Sequence, residues 1–383
     1  MQKRQLGQFF TVNSDYILSG FSPRVKGKKI VDPFAGSGDL LKWAHKHGAA
    51  SVKGFDVDRQ YVDGKTVFLR DSLKANEEYD FVLTNPPYLN VNKAAPAMKE
   101  KYFSSSPYED LYQISLASIL KSREGIVIVP INFLSAENSR KIRDLFLSTH
   151  RITRINYFKQ RVFPDTTYNV IAFHYRKEGK ILEAQNPRFV IYPDGKEFDI
   201  ELHRRDGWSI GAEVLQRART PNFASIQRLT EGHIRAQRGS RKVVGVINHI
   251  ADPRTEFQVS DEMYRLLKGN IIFLRAIDSG SDTGKIDLQD IREYGIDCLV
   301  SKPTSRHMIQ LIFPRPPDIE VQKELISAFN KDLARWREKY DSLFLTNYRD
   351  KDRKRIGFDF VYGYLNYLLR ERIQAPRRLS LRS

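Results

Sequence analysis

Short apolar runs that read as buried strands alternate, over the first half of the chain, with stretches whose apolar residues recur every three or four positions. Lys28-Lys29-Ile30-Val31 leads into a first strand, Val52 to Val57 forms a second, Val67-Phe68-Leu69 a short third and Tyr79-Asp80-Phe81-Val82-Leu83 a fourth. A helix through Leu40, Leu41, Trp43 and Ala44 follows the first strand. Another, from Asp110 to Lys121, carries Leu111, Ile114, Leu116 and Ile119 at helical spacing. Gly125 to Val129, a helix from Asn138 to Leu147, and strands at Ile152 to Phe158 and Val170 to Tyr175 complete the pattern. Such alternation predicts a parallel-rich sheet with helices on both faces.

After about Lys180 the texture changes to short mixed segments broken by Gly, Pro and Asp and rich in arginine. Strands are predicted at Val243 to Ile247, Ile271 to Arg275 and Met308 to Phe313. Pro314-Arg315-Pro316-Pro317 is a break, Glu320 to Tyr340 a helix, Phe358 to Leu369 a short amphipathic helix, and the residues from Gln374 onward a loose basic tail. The expected division is a first domain at 1–180, a mixed α/β second domain at 181–350, and a basic C-terminal helix and tail at 351–383.

Composition narrows the function. The chain has 383 residues, of which 41% are hydrophobic, enough for two domains with real cores. No apolar run approaches the ~20 residues that span a membrane. Met1 to Gly7 has no apolar signal region, so a cytoplasmic location is expected. The single cysteine, Cys298, excludes an intrachain disulfide and a cysteine-based zinc cluster. The formal net charge of +17 favours a polyanionic partner, nucleic acid first. The arginines crowd between His203 and Lys242, where only Asp206, Glu213 and Glu231 oppose them. Arg235, Arg238, Arg241 and Lys242 are the expected DNA contacts within that segment.

The chemistry sits at the ends of the first four strands. Asp32-Pro33-Phe34-Ala35-Gly36-Ser37-Gly38 links the first strand to the first helix, and its small residues let backbone approach a ligand closely. It has neither the GxGxxG spacing of dinucleotide binders nor the Lys-Ser/Thr ending of a P-loop. Asp56, with Val57 after it, ends the second strand about 20 residues on, where an acid can accept ribose hydroxyls. Asp71-Ser72 follows the third, where a carboxylate can meet an adenine amino group. A tight turn and two capping aspartates would explain these residues one at a time; together they describe a nucleoside cofactor site.

Thr84-Asn85-Pro86-Pro87-Tyr88 follows the fourth strand. Two prolines remove two backbone donors and fix two φ angles, so this loop is rigid. An amine on a heteroaromatic ring is a poor nucleophile because its lone pair is delocalised. Two fixed acceptors, the Asn85 side-chain oxygen and the Pro86 carbonyl, can bind its hydrogens and favour a pyramidal nitrogen. Tyr88 offers a face for a planar base.

With these motifs in this order, the chain resembles the S-adenosylmethionine-dependent DNA adenine-N6 methyltransferases of restriction-modification type, in the subgroup ordered cofactor motifs, catalytic motif, recognition region. Leu6-Gly7-Gln8-Phe9-Phe10-Thr11 resembles the leading motif, beside the methionine end of the cofactor. Asp32, Phe34, Gly36 and Gly38 match the cofactor loop, Asp56 and Val57 the ribose region, Asp71 and Ser72 the adenine contact, and Asn85 to Tyr88 the catalytic loop. Gln160-Arg161-Val162-Phe163-Pro164 resembles a later motif whose Phe stacks on the flipped base, so Phe163 takes that role, with Tyr168 as a competitor. The resemblance covers roughly residues 1 to 180. It implies a Rossmann-like, mixed seven-stranded sheet, a separate DNA-recognition domain, S-adenosyl-L-methionine as cofactor, double-stranded DNA as substrate and no metal. It further implies a monomer and leaves room for a cognate restriction endonuclease acting separately on the same site.

Other readings remain open from sequence. Related enzymes with an Asn-Pro-Pro-Tyr loop methylate protein glutamine, against which stand the charge, the arginine-rich second domain and the leading motif. A DNA-binding module without activity has no use for an intact Asn85 to Tyr88 loop. Cytosine-C5 chemistry needs a cysteine nucleophile, and Cys298 lies far from any cofactor motif; cytosine-N4 enzymes carry Ser or Asp where Asn85 stands. Pro193-Asp194, with Glu201 and His203, suggests a nuclease cluster, but Pro193-Asp194-Gly195 reads as a turn.

Overall fold

Phe81, Val82 and Leu83 are each at most 1% exposed, so the strand they form lies inside a sheet covered on both faces. The computed structural model describes residues 13–74, 77–163, 168–278, 285–349 and 353–380. The chain forms two compact units, the first reaching Ile210 and the second running from Gly211 to Thr346 and again from Arg353.

The first unit holds strands β1 (Lys29–Asp32), β2 (Ser51–Asp56), β3 (Val67–Leu69), β4 (Phe81–Thr84), β5 (Glu124–Pro130), β6 (His150–Phe158), β7 (Val170–Lys177), β8 (Arg188–Tyr192) and β9 (Lys196–Asp199). Helices α1 (Asp39–Lys46), α2 (Leu111–Ser118) and α3 (Arg140–Thr149) belong to the connections. Among the described residues the sheet has nine strands, in the order β9-β8-β6-β7-β5-β4-β1-β2-β3. The run from β3 to β5 is parallel. β7 is antiparallel to both β5 and β6. This is the expected Rossmann-like mixed sheet: β1 to β7 supply its seven strands, and β8 and β9 extend it. The chain winds outward from β1 to β3, then returns to place β4 on the other side of β1. At such a reversal a crevice opens beyond the carboxyl ends of the strands, here those of β1 and β4.

The first unit continues past the boundary expected near residue 180. β8 pairs in parallel with β6, from Arg154↔Arg188 to Phe158↔Tyr192. Pro193-Asp194-Gly195 is the turn into β9, as its sequence predicts. Further on, fully buried Trp208 donates its indole N–H to Asp144 on α3 at 3.0 Å. Arg143, 1% exposed, gives Nε–H to the Gly207 carbonyl, Nη1–H to the carbonyls of Phe133 and Ala136, and Nη2–H to Ser209 Oγ, all at 2.7–3.0 Å. These bonds fasten residues 207–209 to α3.

The second unit holds a short strand β10 (Gln227–Arg228), β11 (Arg241–Ile247), β12 (Thr255–Val259), β13 (Ile272–Arg275), β14 (Asp287–Asp290), β15 (Cys298–Val300) and β16 (Met308–Ile312). Helices α4 (Asp261–Gly269), α5 (Ile319–Tyr340) and α6 (Phe358–Ser380) accompany them. One sheet has the order β10-β16-β13-β14; the other, β12-β11-β15, joins β11 and β15 in parallel. Leu325, Phe329, Leu333 and Trp336 of α5 and Val361, Tyr364 and Leu365 of α6 share one core with β13 and β16. α6 is therefore part of this unit, and it runs to Ser380 where a loose tail was expected. Cys298 is buried, its thiol pushed up to about 12 by burial, as an ordinary core residue would be.

Arg143→Lys keeps the charge, but one ammonium cannot serve acceptors spread over Phe133, Ala136, Gly207 and Ser209. The variant is expected to lose about 1–3 kcal/mol for each buried acceptor left unpaired. Urea unfolding reads the loss; an unchanged midpoint would show that Arg143 does not hold this segment.

Candidate active site

The loop between β1 and α1 is held from both neighbouring strands. Asp32, 1% exposed, accepts at Oδ1 from the Thr84 hydroxyl of β4 at 2.6 Å and from the Phe34 N–H at 3.0 Å. The Ala35 N–H donates to the Phe55 carbonyl of β2 at 2.9 Å, and the Gly36 N–H to Asp56 Oδ2 at 2.8 Å. Gly36 and Gly38 have φ of +51° and +74°, left-handed values that favour glycine. Gly54 clears the space beneath: a Cβ there would lie 2.6 Å from the Ala35 methyl.

Asp56 ends β2, nearly buried, and its second oxygen accepts from the Asp58 N–H at 2.8 Å. A carboxylate has about four acceptor sites, so capacity for ligand hydroxyls remains. Burial raises Asp56, and it pushes Asp32 from the usual 3.8 up to about 7 against the bonds from Thr84 and Phe34. Past β3, Asp71 Oδ2 accepts from the Tyr102 hydroxyl at 3.0 Å and pairs with Lys101 Nζ at 2.9 Å. Ser72 is buried and its Oγ has no partner among the described residues. Val57 is 42% exposed.

Asp32, Phe34, Gly36, Asp56, Val57, Asp71 and Ser72 all line one cleft, and Asn85 and Pro87 line the same cleft. Gly38 stands just outside it, capping α1. Thr11 lies outside the described residues. Met98 and Tyr102 also line it and were missed from sequence. They come from a helical stretch whose Lys99–Phe103 part is a π-turn, a form frequent at functional sites. Their four-residue spacing was the available signal.

Asn85 is half-buried and Pro86 buried. Tyr88 is 3% exposed; its hydroxyl lies 2.5 Å from Asn85 Oδ1 and 3.0 Å from the Ile128 carbonyl, and it has one proton to give them. Burial holds that hydroxyl well above the usual tyrosine range. The ring meets Tyr112 edge-on, centroids 6.4 Å apart. In this conformation Tyr88 positions Asn85 and presents no open face. Phe163 is 1% exposed, whereas Tyr168 is half-buried. Tyr88 and Phe163 do not line the cleft.

Residues 37–163 match the Eco57I restriction-modification methylase family. That is about a third of the chain. No curated protein matches. The type IIG restriction endonuclease BpuSI is similar in structure at 12% identity, covering 94% of this chain and 59% of that one, with a TM-score of 0.46. A modification subunit of a putative type I restriction enzyme from Vibrio vulnificus is 15% identical over 50% of this chain and 49% of its own, at 0.38. The EcoKI M protein, a type I restriction enzyme, is 13% identical over 43% and 44%, at 0.34. This chain thus spans about half the length of the Vibrio subunit.

The methylase match implies S-adenosylmethionine as cofactor. The residues present fit it: the Ser72 hydroxyl, without a partner among the described residues, the exposed Val57 side chain and the spare acceptor capacity of Asp56 all belong to one cleft.

The cations expected to meet DNA are exposed on the second unit, but the fold brings carboxylates to them. Arg235 lies 3.4 Å from Glu231, Arg241 3.5 Å from Asp261 and over the Tyr264 ring, and Lys242 2.9 Å from Glu256. Arg238 has no carboxylate partner among the described residues.

Asp56→Ala removes the acceptor of the Gly36 N–H and of any ribose hydroxyl. It is expected to weaken S-adenosylmethionine binding by about 1.5–3 kcal/mol in calorimetry; equal affinity in a folded variant would remove Asp56 from the site. Asp32 gives a pH signature. It holds its proton up to about pH 7 when folded but releases it near 3.8 when unfolded. Between those values the folded state binds more protons, so this group's stabilisation falls as pH rises. Asp32→Asn mimics the protonated form, so its Tm is expected to gain on the parent's as pH climbs from about 4 to 7. Parallel Tm curves would show that Asp32 ionises normally.

Proposed function

We propose that this protein is a site-specific DNA methyltransferase that transfers a methyl group to the N6 amine of an adenine flipped out of duplex DNA. The observation that carries the reading is one cleft lined by both Asn85 and the nucleoside-shaped set Gly36, Asp56, Asp71 and Ser72. The methylase match over residues 37–163 supports it, and so does the +17 charge. Cytoplasmic action as a monomer, on a site shared with a separate restriction endonuclease, belongs to the same reading.

When bound, S-adenosylmethionine supplies an electrophilic methyl group on a sulfonium, with the thioether as leaving group. Asp56 would hold the ribose and Asp71 the adenine amino group of that cofactor, with Tyr102 and Lys101 fixing Asp71. Asn85 Oδ1 accepts one hydrogen of the target amine in place of the Tyr88 hydroxyl. The Pro86 carbonyl accepts the other. Held by these two acceptors, the nitrogen pyramidalises, and its lone pair is freed from the ring to accept the methyl group that the bound cofactor would supply. The proton leaves the cationic amine to water. Tyr88, once displaced, and Phe163 would flank the base; Tyr168 is the alternative partner.

The test is single-turnover transfer of labelled methyl groups to duplex DNA at saturating cofactor. Asn85→Ala removes an acceptor whose bonds strengthen as the amine gains charge, and is expected to slow transfer on the order of 10²–10³-fold. Tyr88→Ala should impair it through lost stacking, worth about 1–3 kcal/mol. Tyr88→Phe keeps the ring and should retain activity within about tenfold. Parental-rate transfer by folded Asn85→Ala would end this mechanism.

A further inference from the structure

The second unit sends two loops off one end of a parallel strand pair. β11 and β15 are in register from Gly245↔Cys298 to Ile247↔Val300, so residues 248–254 and 301–307 leave the sheet side by side. The loops are bonded together. The Asn248 N–H donates to the Val300 carbonyl at 2.9 Å, and Asn248 Oδ1 accepts from the Lys302 N–H at 2.9 Å. The Ser301 N–H donates to the Leu229 carbonyl at 3.0 Å, just beyond β10. Asn248 has φ +66°, a left-handed value that asparagine tolerates better than most residues. Its side-chain bond to Lys302 holds that turn.

This platform presents cations in a different state from Arg235, Arg241 and Lys242 of the arginine-rich segment. Lys302, Arg306 and Arg254 are exposed, and none has a carboxylate partner among the described residues. Arg306 donates to the carbonyls of Pro303 and Ser305 at 2.9 and 2.8 Å, and Arg254 to that of Tyr294 at 3.2 Å. These bonds orient the guanidinium groups and leave their charge uncompensated; an arginine has five donors. Asp252 is the one acid in either loop. Beside them, His249 Nδ1 accepts from the Ala251 N–H at 3.1 Å, which leaves the proton of the neutral ring on Nε2. Arg235, Arg241 and Lys242, in contrast, already face Glu231, Asp261 and Glu256.

We propose that loops 248–254 and 301–307 form the phosphate-contacting surface of the second unit on duplex DNA, with Lys302, Arg306 and Arg254 as the contacts and His249 Nε2–H as a neighbouring donor. The proposal rests on the preceding reading only in taking duplex DNA as the substrate. Cations held by carbonyls carry full charge to a phosphate, whereas those facing carboxylates must first exchange one anion for another.

The test uses the full chain and a labelled duplex, with affinity measured between about 50 and 300 mM salt. Each phosphate contact contributes about 0.9 to the slope of log affinity against log salt. Arg254→Gln/Lys302→Gln/Arg306→Gln is expected to reduce the slope by up to about 2.7, Lys302→Gln alone by about 0.9, and Arg241→Gln/Lys242→Gln by less than the single. Thermal melting checks the fold of each variant. Lys302 makes no side-chain bond among the described residues, so the single variant reads the surface even if the triple melts early. Methyl transfer to plasmid DNA by the parental chain runs in parallel. Parental binding with a reduced slope in the variants upholds this surface, and absence of transfer alongside it would reject only the activity. An unchanged slope in folded Lys302→Gln and triple variants overturns the surface whatever the transfer shows. A parental chain that binds no duplex overturns both.

Discussion

The hydrogen bond from the Thr84 hydroxyl to the Asp32 carboxyl joins the ends of β4 and β1, the strands on either side of the point where the sheet reverses its winding. The loop between β1 and α1 begins at Asp32 and the Asn85-Pro86-Pro87-Tyr88 loop begins one residue after Thr84. One buried bond of 2.6 Å, added to the β1–β4 ladder, therefore ties the starts of the two loops together. Burial keeps the Asp32 proton in place until about pH 7, so the link is a neutral carboxyl over the lower pH range and carries no uncompensated charge there.

Around that link the first unit places backbone where a ligand must come close. Gly36 and Gly38 take left-handed angles, Gly54 leaves room for the loop to lie on β2, and Asp56 holds the loop through the Gly36 N–H. The same carboxylate thus shapes the loop and offers acceptors to a ligand. Beyond β4, two prolines stiffen the backbone and the Tyr88 hydroxyl orients the Asn85 amide. In the proposed reaction, a preorganised acceptor of this kind would favour the charge that develops on the nitrogen more than the neutral amine.

Much of this was legible in the chain. β1 to β7 were visible as apolar runs because both faces of a largely parallel sheet are buried. The strand-end residues were visible because each has a side chain or a backbone freedom that a plain strand terminus does not need. β8 and β9 were missed: Arg188-Phe189-Val190-Ile191-Tyr192 is short and follows polar, proline-containing sequence, and its parallel pairing with β6 is nonlocal. Trp208 and Arg143 likewise reveal their roles only when α3 and residues 207–209 are brought together.

The sequence by itself determined β1 to β7 of the sheet, the order of the residues at the strand ends and the rigidity of the Asn85 to Tyr88 loop, because hydrophobic period, glycine and proline act locally. Only the tertiary structure decided which charges are compensated. Arg241 and Lys242 stand in a run of arginines with few acids near them in sequence, yet β12 and α4 bring Glu256 and Asp261 against them. Lys302, Arg306 and Arg254 stand out less in the chain, yet the parallel pairing of β11 with β15 gathers their loops at one end of the sheet with a single acid between them. Tyr88, which reads as a face for a base, is buried here with its hydroxyl against Asn85. Charge compensation and burial depend on neighbours far apart in sequence, and hydrophobic period carries no record of them.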